Sequence, residues 1–331
     1  MAELRWNPMI DDWTMVASNR QNRPQMPKDY CPFCPKFGKV PEYDVYAYDN
    51  DFPALSQNPP IPEHPYTENA SSLYKVAPSH GKCEVILYSP EHNGSLCLLP
   101  RAHIAKLVDL WIERFSAMKS DEKIKYIYPF ENRGAMVGTT MPHPHGQMYG
   151  FSVMPKKIEL ELNSARKYKE KNGKCLFCAM NDEESAFGER VIYENAHFIA
   201  YIPFFADYAY GVYISAKEHK CDISELNTDE RVSLADIIKV VTGCYDELFG
   251  FMFPYMMCMH NAPVNSEKEY PGLHDYYHFH IEFYPPMRSA DKQQFMASSE
   301  TGIWAHCNPT APEEKAKELR EAVDRFLKSG K

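Results

Sequence analysis

Cys31-Pro-Phe-Cys34 and Cys175-Leu-Phe-Cys178 each set two thiols three residues apart. Such a pair reaches one tetrahedral ion, and zinc then needs two further nitrogen or sulfur ligands. A lone C-x-x-C reads as free thiols in a turn or as a redox motif, but here the motif occurs twice, each time with histidines following at matching places: His92 and His143 in the first half, His219 and His278 in the second. Four protein ligands leave no open coordination position, so both sites read as structural. His143-Pro-His145-Gly146-Gln147 offers other chemistry. In an extended chain its two imidazoles project to one side, so one can bind metal while the other faces a cleft; both could equally be metal ligands. Gly146 admits close backbone approach, Gln147 is a neutral donor suited to a phosphoryl oxygen, and an imidazole beside such donors can attack phosphorus and form a covalent intermediate.

The elements that position these groups also recur. After the first thiol pair come Tyr48 to Ala54, a strand-like Cys83 to His92, an amphipathic stretch from Ala105 to Ser116, Tyr126 to Phe130 and His143-Pro-His145. After the second come Tyr193 to Ala200, Gly211 to His219, a helical stretch from Asp229 to Phe249, Phe251 to Tyr255 and His278-Phe-His280. Strands gathered around one long helix in each half predict an α+β fold. Its expected form is an internal duplication of two mostly antiparallel units, residues 1–155 and 156–331. The charged run from Pro155 to Gly173 predicts a helical linker. Thr310-Ala-Pro-Glu313 predicts a capping box opening a last helix whose apolar face is Ala316, Leu319, Val323, Phe326 and Leu327.

With 331 residues, 44% of them hydrophobic and 24% charged, the chain has material for two cores and lacks the composition of a disordered protein. A net charge of −9 argues against a nucleic-acid scaffold. No apolar run approaches the roughly 20 residues that span a bilayer, and the start, MAELRWNPMIDDW, has neither apolar core nor basic leader. A cytoplasmic protein with no membrane or nucleic-acid partner is therefore expected. Ten cysteines are too dilute for a disulfide scaffold; Cys83, Cys97, Cys221, Cys244, Cys258 and Cys307 read as core thiols, and His64, His80 and His103 as surface or core histidines.

H-P-H-G-Q preceded by Phe130-Glu-Asn132-Arg-Gly134, with Arg20-Gln-Asn-Arg23, Asn50-Asp51-Phe52, Ser89 to His92, His260 to Pro263 and His278 to Pro286, resembles the galactose-1-phosphate uridylyltransferases of the histidine-triad superfamily along nearly the whole chain. The resemblance implies two tandem histidine-triad-like units and ping-pong transfer of UMP from UDP-glucose to galactose 1-phosphate. It implies His145 as nucleophile and Gln147 as phosphate contact. Arg20 and Arg23 would lie near the phosphates, Asn50 and Asp51 on the uridine, Asn132 in the active site, and Phe295 and Glu300 on the hexose. It implies a homodimer.

It also implies a first zinc site of Cys31, Cys34, His92 and His143. For the second it leaves a choice between Cys175, Cys178, His219 and His278, which mirrors the first, and Glu161, His260, His278 and His280, with zinc or iron bound. Since both sets use His278, a single second ion is the economical expectation, making two per chain. Departures stand at Gly138-Thr-Thr-Met, where the family reads G-C-S-N, at Gln294, where lysine is common, and at His306, near a position often held by glutamine. They bear on the sugar and acceptor. The alternatives are a related nucleotidyltransferase or phosphorylase acting on ADP-sugars or dinucleoside polyphosphates, a hydrolase, and a zinc-stabilised nucleotide binder without turnover.

Overall fold

The computed structural model describes residues 2–21, 30–37, 39–62 and 73–330; Arg23 and His64 fall outside them. Along the chain run β1 (Ala2–Asn7), β2 (Asp12–Ala17), β3 (Tyr46–Asp49), β4 (Val76–Pro78), β5 (Gly81–Leu87), α1 (Arg101–Lys119), β6 (Tyr126–Arg133), β7 (His145–Phe151), α2 (Lys156–Asn172) and α3 (Leu176–Phe187). There follow β8 (Val191–Glu194), β9 (Phe198–Tyr201), β10 (Val212–Ala216), α4 (Thr228–Phe249), β11 (Tyr255–His260), β12 (His280–Tyr284), α5 (Ser298–Ile303) and α6 (Pro312–Ser329). A small sheet is ordered β2-β1-β4, and a nine-stranded sheet β3-β5-β7-β6-β11-β12-β10-β9-β8. The large sheet is antiparallel throughout.

The two halves of the chain join where β6 pairs with β11, through Phe130 opposite Cys258. From that pair one ladder row runs outward on each side. It passes Gln147, Val85 and Tyr48 in the first half and Glu282, Tyr213 and Tyr201 in the second. The fold is thus α+β, with two tandem, mostly antiparallel halves of like topology and pseudo-two-fold symmetry. The row also corrects the repeat: Tyr48 is the mate of Tyr201, not Tyr193, so β8 is an extra edge strand. The two Tyr-x-Asn turns are alike only locally, because strand pairing, not turn sequence, fixes equivalence.

Helix α1 buries Ile104, Leu107, Val108, Trp111, Phe115 and Met118 at three- and four-residue spacing. Asn227 and Glu230 form a capping box at the start of α4, and Gly250 closes it in the left-handed conformation. Both long helices join Ile86, Ile127, Met148, Met257 and Ile281 in one core. They therefore cover one face of the sheet and leave Gln147 and Glu282 on the other. The linker is helical, as α2. Residues 251–254 are not strand: the Phe253 N–H donates to Asp246 at 2.9 Å and Pro254 has no N–H to give a ladder.

In α6, Ala316, Leu319, Val323 and Phe326 are buried, whereas Leu327 is exposed. The capping box does not form: Thr310 bonds Asn308, Pro312 takes the first turn and Glu313 pairs with Arg190 at 2.6 Å. Of the scattered cysteines, Cys307 is exposed, contrary to expectation, and the other five are buried. His80 pairs with Asp121 and His103 bonds the Tyr88 carbonyl. Among the described residues no helix is long and apolar enough to cross a membrane.

Candidate active site and metal centres

The first thiol pair sits in a turn against the start of β7. Cys34 Sγ lies 3.3 Å from His92 Nδ1 and 3.5 Å from His143 Nδ1, and Cys31 Sγ lies 3.7 Å from His143 Nδ1. A tetrahedral zinc with bonds of about 2.3 Å to sulfur and 2.0–2.1 Å to nitrogen spaces its donors roughly 3.6 Å apart, so the set fits such an ion. His143 Nε2 donates to the Ser89 carbonyl at 2.8 Å, which leaves Nδ1 unprotonated toward the thiols. Burial, above all, pushes the His143 pKa down to about 4 and the Cys34 thiol up to about 11. Tyr43 braces this arrangement by donating to the Phe33 carbonyl at 2.8 Å.

Two residues on, His145 Nδ1 donates to the His143 carbonyl at 2.7 Å. That bond fixes the tautomer and leaves the lone pair on Nε2. The Phe33 ring, at the turn of the thiol knuckle, packs 5.3 Å from the His145 ring. Phe33 also lines a cavity of about 410 Å³ with Lys39, Tyr48, Asn50, Asp51 and Phe52. His145, Asn132 and Thr139 line a second of about 290 Å³. The imidazole lines the second cavity and packs against the Phe33 ring that lines the first. Asp51 receives Lys39 and the Tyr48 hydroxyl, each at 2.7 Å. The buried Thr140 hydroxyl has no hydrogen-bond partner among the described residues.

Arg20 donates to the Tyr149 hydroxyl at 3.1 Å, and Tyr149 to Gln147 Oε1 at 2.9 Å, so Arg20 and Gln147 meet through a residue the sequence reading missed. The alternation of β7 could have found it, since Gln147 and Tyr149 share a face. Phe295 is 72% exposed, and Glu300 caps the start of α5 by accepting from the Ala297 N–H; neither lines the two cavities. Gln294 is spent on the backbone of Asp207 and Ala209.

The second half repeats the first design and then departs from it. Cys178 Sγ lies 3.3 Å from His219 Nδ1 and 3.5 Å from His278 Nδ1, while His278 Nε2 donates to the Ala216 carbonyl and His219 Nε2 to that of His274. The Cys178 thiol hydrogen-bonds Cys175, drives it down to about 2 and is itself raised. His280 Nδ1 donates to the His278 carbonyl at 2.8 Å, as His145 does, and the Phe177 ring stacks on it at 4.8 Å. Here the expected alternative set fails. His278 belongs with the thiols, and the group around His260 is Glu161, His260, His280 and Glu282. The two sets share no residue, so one ion does not serve for both. His280 and Glu282 share a side of β12, whereas His278 lies before the strand begins, where its Nδ1 faces Cys178 and its Nε2 is held by the Ala216 carbonyl.

In that group His260 lies 3.1 Å from Glu161 and 3.3 Å from Glu282. Burial is the largest influence and raises the Glu161 and Glu282 carboxyls, but the neighbouring imidazoles of His260 and His280, with Lys157 on Glu282, together outweigh it and both stand below the ordinary range. Glu161 Oε1 is buried without a hydrogen-bond partner among the described residues, and two carboxylates with two imidazoles suit a divalent cation.

A sheet built twice around H-x-H strands, one facing an aromatic cavity and anchored beside paired thiols, is the sheet of a nucleotidyltransferase family. Residues 1–155 match the model of the galactose-1-phosphate uridyl transferase N-terminal domain and residues 161–326 that of its C-terminal domain. The galactose-1-phosphate uridylyltransferase of Thermotoga maritima is 42% identical, covering 97% of this chain and 98% of its own; that of Haemophilus influenzae is 32% identical, covering 89% and 87%. A solved uridylyltransferase superposes with a TM-score of 0.88 at 29% identity, covering 98% and 99%. An ADP-glucose phosphorylase from Arabidopsis thaliana does so at 0.73 and 25%, covering 97% and 99%. The chain belongs to the galactose-1-phosphate uridyl transferase family, whose members are transferases.

Proposed function

We propose that the chain transfers the uridylyl group of UDP-glucose to galactose 1-phosphate through a covalent intermediate on His145. The carrying observation is the 2.7 Å bond from His145 Nδ1 to the His143 carbonyl, which presents Nε2 as the nucleophile. Nε2 attacks the α-phosphorus, the phosphoanhydride bond breaks, and glucose 1-phosphate leaves with the bridging oxygen. A phosphate oxygen of galactose 1-phosphate then attacks the same phosphorus and His145 departs. Both the leaving group and the acceptor are phosphate oxygens, so neither step requires a general acid. The Nδ1–H bond supports the positive charge that the imidazole acquires.

Gln147 donates to a non-bridging phosphoryl oxygen, Arg20 and Arg23 meet the phosphates, Asn50 and Asp51 hold the nucleoside in the aromatic cavity, and Asn132 faces the sugar phosphate. Phe295 and Glu300 serve the hexose of a partner subunit's site; this reading goes with a homodimer, and the exposed Phe295, Ile303 and Trp304 support it. Zinc is bound by Cys31, Cys34, His92 and His143 and again by Cys175, Cys178, His219 and His278, anchoring the knuckles that carry Phe33 and Phe177. Glu161, His260, His280 and Glu282 hold a further divalent cation, zinc or iron. The reduced thiol pairs suit a cytoplasmic protein.

Isotope exchange tests the reading. With UDP-glucose and labelled glucose 1-phosphate alone, label enters UDP-glucose, and His145→Ala abolishes the exchange. Exchange that requires galactose 1-phosphate argues for direct transfer, and faster exchange from ADP-glucose argues for a phosphorylase-like specificity.

A further inference from the structure

Gln147 can help a phosphoryl group only if its amide nitrogen, not its oxygen, faces the phosphate. The two ends of an amide have nearly the same shape, so the hydrogen-bond network decides which way it points. Here the network has a direction. Arg20 carries only donors, so at the 3.1 Å contact its Nη1 donates and the Tyr149 hydroxyl accepts. The phenol then has its own proton to give, and it gives it to Gln147 Oε1 at 2.9 Å. Gln147 and Tyr149 are both buried. The Tyr149 ring is wedged edge-on against Phe130 at 5.1 Å and tilted against Phe151 at 6.1 Å, which fixes where the hydroxyl stands. The neighbouring Cys83 thiol, raised by burial, stays neutral and is a weak acceptor by comparison.

We infer that Tyr149 is a positioning residue for uridylyl transfer: relaying the polarity of Arg20 to Gln147, it holds the amide oxygen and so turns the amide N–H groups to the phosphoryl oxygens. The assignment rests on the reading of His145 as the nucleophile. It makes Arg20 and Gln147 one phosphate-binding unit with a fixed donor sense. Without the hydroxyl the amide turns freely, and an oxygen aimed at the phosphate repels it.

Rapid-quench measurement of uridylyl-protein formation from UDP-glucose tests this in wild type, Tyr149→Phe, Gln147→Ala and the double variant, each with unchanged metal content and melting temperature. Tyr149→Phe should slow adduct formation at saturating UDP-glucose by about five- to tenfold, with less than about a twofold change in half-saturation. In the Gln147→Ala background the same substitution should change nothing. Equal losses in both backgrounds overturn the inference and leave the nucleophile intact, whereas a wild type that forms no adduct overturns both. Gln147→Glu asks the same question without touching Tyr149: it keeps the acceptor but has no N–H and adds a repelling charge, and should be at least as slow as Gln147→Ala. Full activity there also overturns the inference.

Discussion

Gln147 and Glu282 occupy equivalent places in the two halves of one sheet: Gln147 pairs with Phe130, Glu282 with Cys258, and Phe130 and Cys258 pair with each other across the junction. Each follows by two residues a histidine whose Nδ1 donates to the carbonyl two residues back. An amide beside such an imidazole can donate to a phosphoryl oxygen. A carboxylate in its place repels phosphate and attracts a cation, and in the proposed function this difference, together with Glu161 and His260 beside Glu282, separates a transfer site from a cation site.

Metal content follows from this separation. The chain should carry two thiolate-bound zinc ions and a third divalent ion, counted by elemental analysis after gel filtration. Glu282→Gln should lose the third ion and keep both zincs, while Cys178→Ser should lose one zinc and keep the others. Loss of a zinc on Glu282→Gln would contradict the grouping.

Gly146 lies where β7 passes over Tyr88. A Cβ there would stand 2.2 Å from the Tyr88 hydroxyl oxygen and 2.9 Å from the Phe130 carbonyl oxygen, and the latter is backbone that cannot step aside. Gly146→Ala should cost about 1–3 kcal/mol of stability and, by displacing His145 and Gln147, lower turnover by about a hundredfold. Denaturant melts and initial rates check both; unchanged turnover would show that the strand absorbs the strain without moving the nucleophile.

Stability should carry a pH signature from Glu131. Burial, the leading cause, raises its carboxyl from 4.5 to about 7, since Arg133 is committed to Asp246 at 2.7 Å. The folded state then binds this proton more tightly than the unfolded chain. The stabilisation is fully present below pH 4.5 and is lost as pH rises through about 7, a change of about 3 kcal/mol. Glu131→Gln is neutral throughout, so relative to wild type it should gain stability between pH 5 and pH 8. Urea melts at the two pH values measure this, and a constant difference would contradict it.

Much of the site was legible in the sequence because it is local. The thiol pairs, His143 and His145, and the amphipathic spacing of α1 and α4 are all motifs of a few residues governed by one periodicity. What escaped depends on which strands become neighbours. Tyr149 gains its role only when β7 brings it over Arg20 from the far end of the domain. Glu282 joins His260 and Glu161 only through the β11–β12 pairing and α2, so a motif match alone put His278 in its place. The equivalence of β3 with β9 is likewise a property of the ladder and not of either turn.

The most direct measurement is intact mass followed by peptide mapping after brief exposure to UDP-glucose without acceptor. A single UMP should be added to the peptide containing His145, discharged by galactose 1-phosphate and absent from His145→Ala. A UMP adduct that persists in His145→Ala, or product formation with no adduct at any time, would contradict transfer through His145.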